Sequence, residues 1–188
     1  MRRGFVKEAK SLAIELRAET GVDRYGRFDP YALAELYGIR VVPLSSVPTP
    51  AGEHFLEARP EVFSGALIRV GTGFLILEND AHSAERRRAT LSHEIAHVML
   101  EHDFPLSLTA GERCTGEGSQ EEEADRLGGE LLIPYDAALS LARRDASDNA
   151  VAVQMGVSVA YAKYRMNSSG ARTVVSRTRM KYASRATT

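Results

Sequence analysis

The sequence has one cysteine, no apolar run of membrane-spanning length and no internal repeat. A single cysteine, Cys114, cannot form an internal disulfide and fits a reducing compartment. The first residues are charged from Arg2 onward and lack the apolar core of a secretory signal. No stretch approaches the ~18 consecutive apolar residues that a membrane span needs. We therefore expect a cytoplasmic protein without a membrane partner.

The net charge of −1 conceals an uneven distribution of charge along the 188 residues. Residues 161–188 contain seven basic residues and no acidic one, which leaves −8 for residues 1–160. A basic end on an acidic body suggests contact with nucleic acid or with an acidic partner surface. A solvated basic tail is the simpler interpretation of the same composition.

The strongest chemical signal is an H-E-x-x-H motif in a helical segment at 86–102. His93 and His97 are four residues apart, so on a helix both side chains lie on one face and can bind a single ion. Glu94 follows the first histidine and can reach a water on that ion without being a ligand. This arrangement is typical of zinc metalloproteases.

A second acidic segment, after residue 119, supplies candidates for a third ligand. Zinc hydrolases with two histidines and one glutamate leave the fourth position to water. Glu121 is the preferred ligand because Asp125 follows it by one helical turn and can orient a ligand histidine. Glu122 and Glu123 are rival ligands. The predicted cofactor is Zn²⁺, bound by His93, His97 and Glu121.

Taken together, the segments TLSHEIAHVMLEH (90–102) and EEEADRLGGELLIP (121–134) resemble the ImmA/IrrE family of bacterial metallopeptidases. The resemblance extends over about residues 5–170. It departs at residues 127–129, Leu-Gly-Gly, where many relatives carry an aromatic residue and alanines. The resemblance implies a zincin-like fold and an activity directed at a DNA-binding repressor, commonly of the helix-turn-helix type.

The predicted fold class is α+β, a mainly helical zincin-like domain with a small three-stranded sheet. We expect this domain to span residues 1–145, followed by a helical hairpin at 146–170 and a basic tail at 171–188. The helices and strands are predicted from the periodicity of apolar residues and from the positions of Gly and Pro at which such elements end. Helices are predicted at 5–19, 29–38, 86–102, 119–132 and 135–144, strands at 39–44, 63–70 and 74–77, and a loop at 45–60.

The C-terminal segment 148–167 resembles a helix-turn-helix, with Gly156 in the turn and Ser158 capping the second helix. If that helix binds DNA, Lys163 and Arg165 are the natural contacts. The favoured interpretation is instead a helical hairpin that closes the domain or docks a partner, because recognition helices usually carry more polar side chains than residues 159–162 offer.

The sequence predicts a zinc endopeptidase with Glu94 as the catalytic general base. From the family resemblance, its protein substrate is a helix-turn-helix repressor, and cleavage relieves transcriptional repression. The alternative is a non-proteolytic transcriptional regulator, or a toxin–antitoxin-like partner-binding protein that carries a zinc site. The group that would stabilise the oxyanion is left open between His82, Tyr135 and arginines.

Overall fold

The structure is a computed structural model that describes residues 2–102 and 118–186, with side chains up to residue 183. Cys114 lies outside the described residues. The architecture is mainly helical with one small mixed sheet, so the predicted α+β class is confirmed.

The described helices and strands follow the predicted order along the chain. Strands β1, β2 and β3 are Arg40–Pro43, Gly65–Val70 and Gly73–Glu78. The helices are α1 Phe5–Glu19, α2 Pro30–Leu36, α3 Pro50–Glu53, α4 Ala84–Met99, α5 Gly118–Leu132, α6 Tyr135–Arg143, α7 Asp148–Met155, α8 Val159–Ser168 and α9 Ala171–Ala186.

The sheet has the strand order β1-β3-β2, so β2 lies at an edge. Strand β1 runs parallel to β3, whereas β2 pairs with β3 as an antiparallel hairpin. Gly71 in the hairpin turn has a φ of 60°, a conformation that glycine adopts without steric cost. Strand β3 then leads into α4, which packs against both β2 and β3.

The segment predicted as a loop at 45–60 contains several short helical turns. Besides α3, these are Leu44–Ser46, His54–Ala58 and Pro60–Val62. The fully buried Asn79 holds this segment by donating from its side-chain amide to the carbonyl oxygens of Phe55 and Phe63. Because these hydrogen bonds come from outside the segment, its own pattern of Pro and Gly does not reveal its helical turns.

Helices α4 and α5 pack against each other at the centre of the molecule, and α1 packs on α5. Their buried side chains are mostly aliphatic. The fully buried Arg17 crosses this core and donates to the carbonyl oxygens of Leu131, Asp23 and Gly26. These carbonyls satisfy the guanidinium, which otherwise would be costly to bury.

The C-terminal region contains the predicted helical hairpin, α7 and α8. Gly156 ends α7 with a φ of 66°, and the Ser158 side chain accepts the Tyr161 N–H at the start of α8. Residues 171–188, for which we expected a basic tail, are helical from Ala171 to Ala186. Arg179 of this helix pairs with Asp145 at 2.7 Å and so attaches α9 beside α6.

No helix within residues 2–102 and 118–186 is both long and apolar enough to cross a membrane.

Candidate metal centre

Helix α4 carries the two motif histidines. The Ser83 side chain caps its N-terminus by accepting the Arg86 N–H, and no Gly or Pro interrupts the helix. The rings of His93 and His97 lie side by side with a centroid separation of 4.8 Å. Their Nε2 atoms are 3.1 Å apart, and two ring nitrogens at this distance require a shared proton or a cation between them.

Helix α5 brings Glu121 to the same point. One carboxylate oxygen of Glu121 lies 3.3 Å from His93 Nε2, and the other lies 3.6 Å from His97 Nε2. In a tetrahedral zinc site with bonds of about 2.0–2.1 Å, ligand atoms are about 3.3–3.4 Å apart. The three side chains that the sequence predicts as ligands therefore fit one zinc-sized ion.

Gly128 lets α5 approach α4 closely enough for this geometry. A methyl group built at Gly128 would lie 3.1 Å from the Ser92 carbonyl oxygen and 3.3 Å from the His93 nitrogen. At the next position, a methyl group built at Gly129 would lie 3.2 Å from Nε of Arg165, which belongs to α8. The departure from the family pattern at residues 127–129 thus lies where the two ligand helices meet.

Asp125, one turn after Glu121, accepts a hydrogen bond from His93 Nδ1 at 2.9 Å. This bond places the proton on Nδ1 and directs Nε2 of His93 at the candidate metal position. Burial opposes protonation of His93, but the hydrogen bond to Asp125 and the charge of Glu94 outweigh it and raise the pKa. Asp125 has the position that the sequence predicts for an orienting carboxylate.

His97 has a different neighbour, His102. The Nδ1 atoms of the two rings are 2.9 Å apart. Burial, followed by the proximity of His93 and His102, lowers the pKa of His97 to about 3. Burial also lowers the pKa of His102. Both rings are therefore neutral at physiological pH, and neutral imidazole is the form that binds zinc.

Glu94 is next to the three candidate ligands, and its carboxylate reaches β2. Burial, together with the charge of Glu121, raises the pKa of Glu94, although His93 and a hydrogen bond from the Leu67 N–H act in the opposite direction. A glutamate with a raised pKa is suited to proton transfer near neutral pH. Its position beside the ligands matches the predicted role of Glu94 as a general base.

The rival ligands face elsewhere. Glu122 is exposed on the surface of α5. Glu123 is buried and accepts the main-chain N–H of Arg2 at 2.8 Å and its Nε at 3.2 Å. Neither is among the ligand group that the described residues form.

Two of the candidates left open for oxyanion binding, His82 and Tyr135, are engaged in other contacts. His82 lies 2.8 Å from the Pro60 carbonyl oxygen through its Nε2. The ring of Tyr135 contacts the Lys10 ammonium, which lies 3.4 Å from the ring centroid. Neither contact involves the three ligands.

The two residues predicted as DNA contacts differ in position. Lys163 is exposed, whereas Arg165 is buried. Arg165 lies 2.6 Å from Glu130 of α5 and donates to the Ile133 carbonyl oxygen at 3.1 Å. Its guanidinium therefore joins α8 to α5 and is not presented to a nucleic acid. The sequence gives no signal for this burial because the partner carboxylate lies on a distant segment.

Comparison with known protein families agrees with this geometry. A model of the IrrE N-terminal-like domain, peptidase family M78, matches residues 34–167, more than two thirds of the chain. The chain belongs to this family. The match covers both ligand helices and the α7–α8 hairpin, so the expected ImmA/IrrE membership is confirmed. A search of curated proteins gives no match. Membership in a metallopeptidase family agrees with the His93, His97 and Glu121 group and indicates a protein substrate.

Proposed function

We propose that this ImmA/IrrE family member is a cytoplasmic zinc endopeptidase. The observation that carries the proposal is the convergence of His93, His97 and Glu121 on one point, with the Glu94 carboxylate beside it. The ligand set, two histidines and one glutamate, is the one that catalytic zinc sites use when a fourth position is left for water.

Each residue of the centre has a distinct task in this proposal. A bound zinc ion would polarise the scissile carbonyl and lower the pKa of the attacking water. Glu94 accepts the proton of that water and delivers it to the leaving amine. Asp125 keeps His93 in the tautomer that presents Nε2, and the burial of His97 excludes water from the inner side of the site.

The outer edge of β2 is suited to hold an extended peptide beside Glu94. The Asn79 N–H donates to the Ser64 carbonyl oxygen, which fixes the alternation of hydrogen bonds along β2. Gly65, Leu67 and Arg69 therefore direct their main-chain groups away from β3, and the Leu67 N–H reaches Glu94. A substrate strand that pairs with this edge would place its carbonyl groups near the general base.

The substrate proposed from the family resemblance is a DNA-binding repressor of the helix-turn-helix type. Cleavage of such a repressor would relieve transcriptional repression. If a gene for such a repressor lies beside the gene of this protein, its product is the first candidate substrate to test.

Replacing Glu94 with Gln tests the peptidase directly. We expect Glu94→Gln to retain the fold and the bound zinc, because Glu94 is not a ligand, and to lose cleavage of a co-expressed candidate repressor. Glu121→Gln should lose zinc, whereas Glu122→Gln, a change on the exposed side of the same helix, should retain both zinc and cleavage. Metal content and the size of the repressor on a gel are the measurements.

The same variants separate the peptidase from a non-proteolytic regulator. If Glu94→Gln relieves repression as well as the wild type does, with the repressor left intact in both, the protein acts by binding. The burial of Arg165 favours the peptidase over a DNA-binding regulator, since one of the two candidate base contacts is occupied inside the protein.

A further inference from the structure

The end of α4 turns back on itself and places His102 against the ligand His97. The Glu101 N–H donates to the Val98 carbonyl oxygen, and the His102 N–H donates to the His97 carbonyl oxygen, both at 3.1 Å. This pair of bonds is a Schellman motif, in which the residue after the cap adopts a left-handed conformation. Here that residue is Glu101, with a φ of 52°.

A Schellman motif brings together the two residues, five positions apart, that its longer hydrogen bond joins, and their side chains usually make an apolar contact. In this protein the two residues are histidines, and their rings meet edge to face with centroids 5.0 Å apart. The Nδ1 atoms are 2.9 Å apart, so one ring donates a hydrogen bond and the other accepts it. Since His97 directs Nε2 at the metal position, its proton belongs on Nδ1, and His102 is the acceptor.

The far side of His102 faces a buried carboxylate. Nε2 of His102 is 3.7 Å from an oxygen of Glu123, and both side chains are only 6% exposed. That distance is too long for a hydrogen bond, but a negative charge there favours the tautomer of His102 with its proton on Nε2. Glu123 is in turn held by the main-chain N–H and the guanidinium of Arg2.

We propose that His102 is a positioning residue for the metal centre: its Nδ1 accepts the Nδ1–H of His97 and so presents His97 Nε2 to the metal, with Glu123 setting the tautomer of His102. The two ligand histidines then have unlike partners, an exposed aspartate for His93 and a buried histidine for His97. This inference rests on the proposed function, because it assumes that the three ligands bind zinc.

Zinc affinity, measured by competition with a chelator, tests the inference without requiring a substrate. His102→Leu removes the acceptor, and we expect it to weaken zinc binding about 10–100-fold, the usual effect of losing a partner of a metal-bound histidine. His102→Asn places a carbonyl oxygen where Nδ1 was, and it should restore most of the affinity. Glu123→Gln should weaken binding by less than His102→Leu does. The matched control is His54→Leu, a change at an exposed histidine.

Two results would overturn the proposal. One is a zinc affinity of His102→Leu equal to that of the wild type. The other is an equal loss in His102→Leu and His102→Asn, since that pattern indicates packing rather than acceptance of a proton. The tautomers in the zinc-loaded wild type, read from imidazole ¹H–¹⁵N correlations, give a third test that needs no variant. A proton on Nδ1 of His102 would exclude its role as acceptor.

The outcome can be separated from that of the proposed function. A wild type that binds zinc tightly and cleaves only when Glu94 is intact supports the peptidase, whatever the His102 variants do. Zinc binding that depends on His102 in a protein that cleaves nothing would support the positioning role and leave the peptidase without support.

Discussion

Gly128 of α5 lies directly against the backbone of Ser92 in α4, so close that a Cβ atom at Gly128 would be 3.1 Å from the Ser92 carbonyl oxygen. This contact joins the two ligand helices one residue before His93 and seven residues after Glu121. The distance between the helices at Gly128 therefore controls how closely the carboxylate approaches the two imidazoles.

Replacing Gly128 with Ala should loosen the metal centre. An added methyl group meets main-chain atoms that are fixed in a packed helix, and overpacking of this kind costs about 1–3 kcal/mol. We expect a lower free energy of unfolding of the zinc-free protein in urea and a weaker zinc affinity by chelator competition. The control is Gly118→Ala at the start of α5, where the described residues leave space for a Cβ atom. An unchanged zinc affinity of Gly128→Ala would mean that the contact between α5 and α4 at Gly128 does not determine the geometry of the candidate ligands.

The buried pair of Glu130 and Arg165 gives a second prediction, on stability. Both side chains are at most 3% exposed, with charged atoms 2.6 Å apart. Removing one partner of a buried ion pair typically costs about 3–5 kcal/mol, because the other charge is left without compensation. Arg165→Met should therefore strongly destabilise the protein in denaturant titrations. The double variant Glu130→Leu, Arg165→Met should be more stable than Arg165→Met.

The exposed pair of Asp145 and Arg179 serves as the comparison for the buried one. Because solvent screens exposed ion pairs, Arg179→Ala should change stability far less than Arg165→Met. Equal losses in the two variants would contradict this prediction, because they would show that the loss of the buried charge costs no more than the loss of the exposed one.

Glu101 is the left-handed residue that turns His102 back onto His97, and replacing it with Gly should preserve the metal centre. The left-handed conformation costs a residue with a side chain about 1–2 kcal/mol, a cost that glycine does not have. Part of this gain is offset because glycine also increases the conformational entropy of the unfolded chain. We expect Glu101→Gly to leave zinc affinity unchanged and to raise the unfolding free energy by up to about 1 kcal/mol. Glu122→Gly, inside α5, should instead lower it, by about 1 kcal/mol.

The hydroxyl of Tyr31 donates a hydrogen bond to the buried Glu78, which also pairs with Arg87 of α4 at 2.7 Å. Burial and then the bond to Glu78 raise the pKa of Tyr31 to about 12 from the ordinary 10.0. The folded state thus favours the protonated phenol, so this contribution to stability is complete below pH 10 and is lost as the pH rises towards 12. Between these values, the unfolding free energy of the wild type should fall more steeply than that of Tyr31→Phe.

A phenolate absorbance titration of the folded protein is an independent measurement for Tyr31. The difference between the wild type and Tyr31→Phe isolates the single phenol, and its midpoint should lie near pH 12. A midpoint near the ordinary value would show that the Glu78 contact does not persist in solution.

The candidate ligand group was predictable because its signals are local in the chain. His93 and His97 share a helix face through their spacing, and Glu121 stands out through its carboxylate neighbour one turn later. The position of His102 beside His97 was not predictable from the sequence. If the helix continued past Met99, His102 would point about 140° away from His97. The reversal depends on a non-glycine residue in a left-handed conformation, and the usual glycine signal for this helix ending is absent.

Contacts between distant segments were beyond reach of the sequence pattern. The spacing of Glu123 leaves open whether it binds a metal, while the structure shows it paired with Arg2, 121 residues away. The sequence also suggested Arg165 as a DNA contact, since nothing near it in the chain indicates that it pairs with Glu130 on another helix. Asn79 likewise organises the helical turns between β1 and β2 from outside that segment.

The α7–α8 hairpin is attached to both helices that carry the candidate ligands. Arg88 of α4 donates to the Gly156 carbonyl oxygen at 2.9 Å, and Arg165 of α8 reaches Glu130 of α5. A chain shortened at residue 145 would strip the cation from Glu130 and uncover the flank of α5 at Gly129. We therefore expect that residues 1–145 do not form the metal centre on their own and that a 1–145 fragment misfolds or aggregates. A fragment meant to retain the metal centre should extend to residue 170.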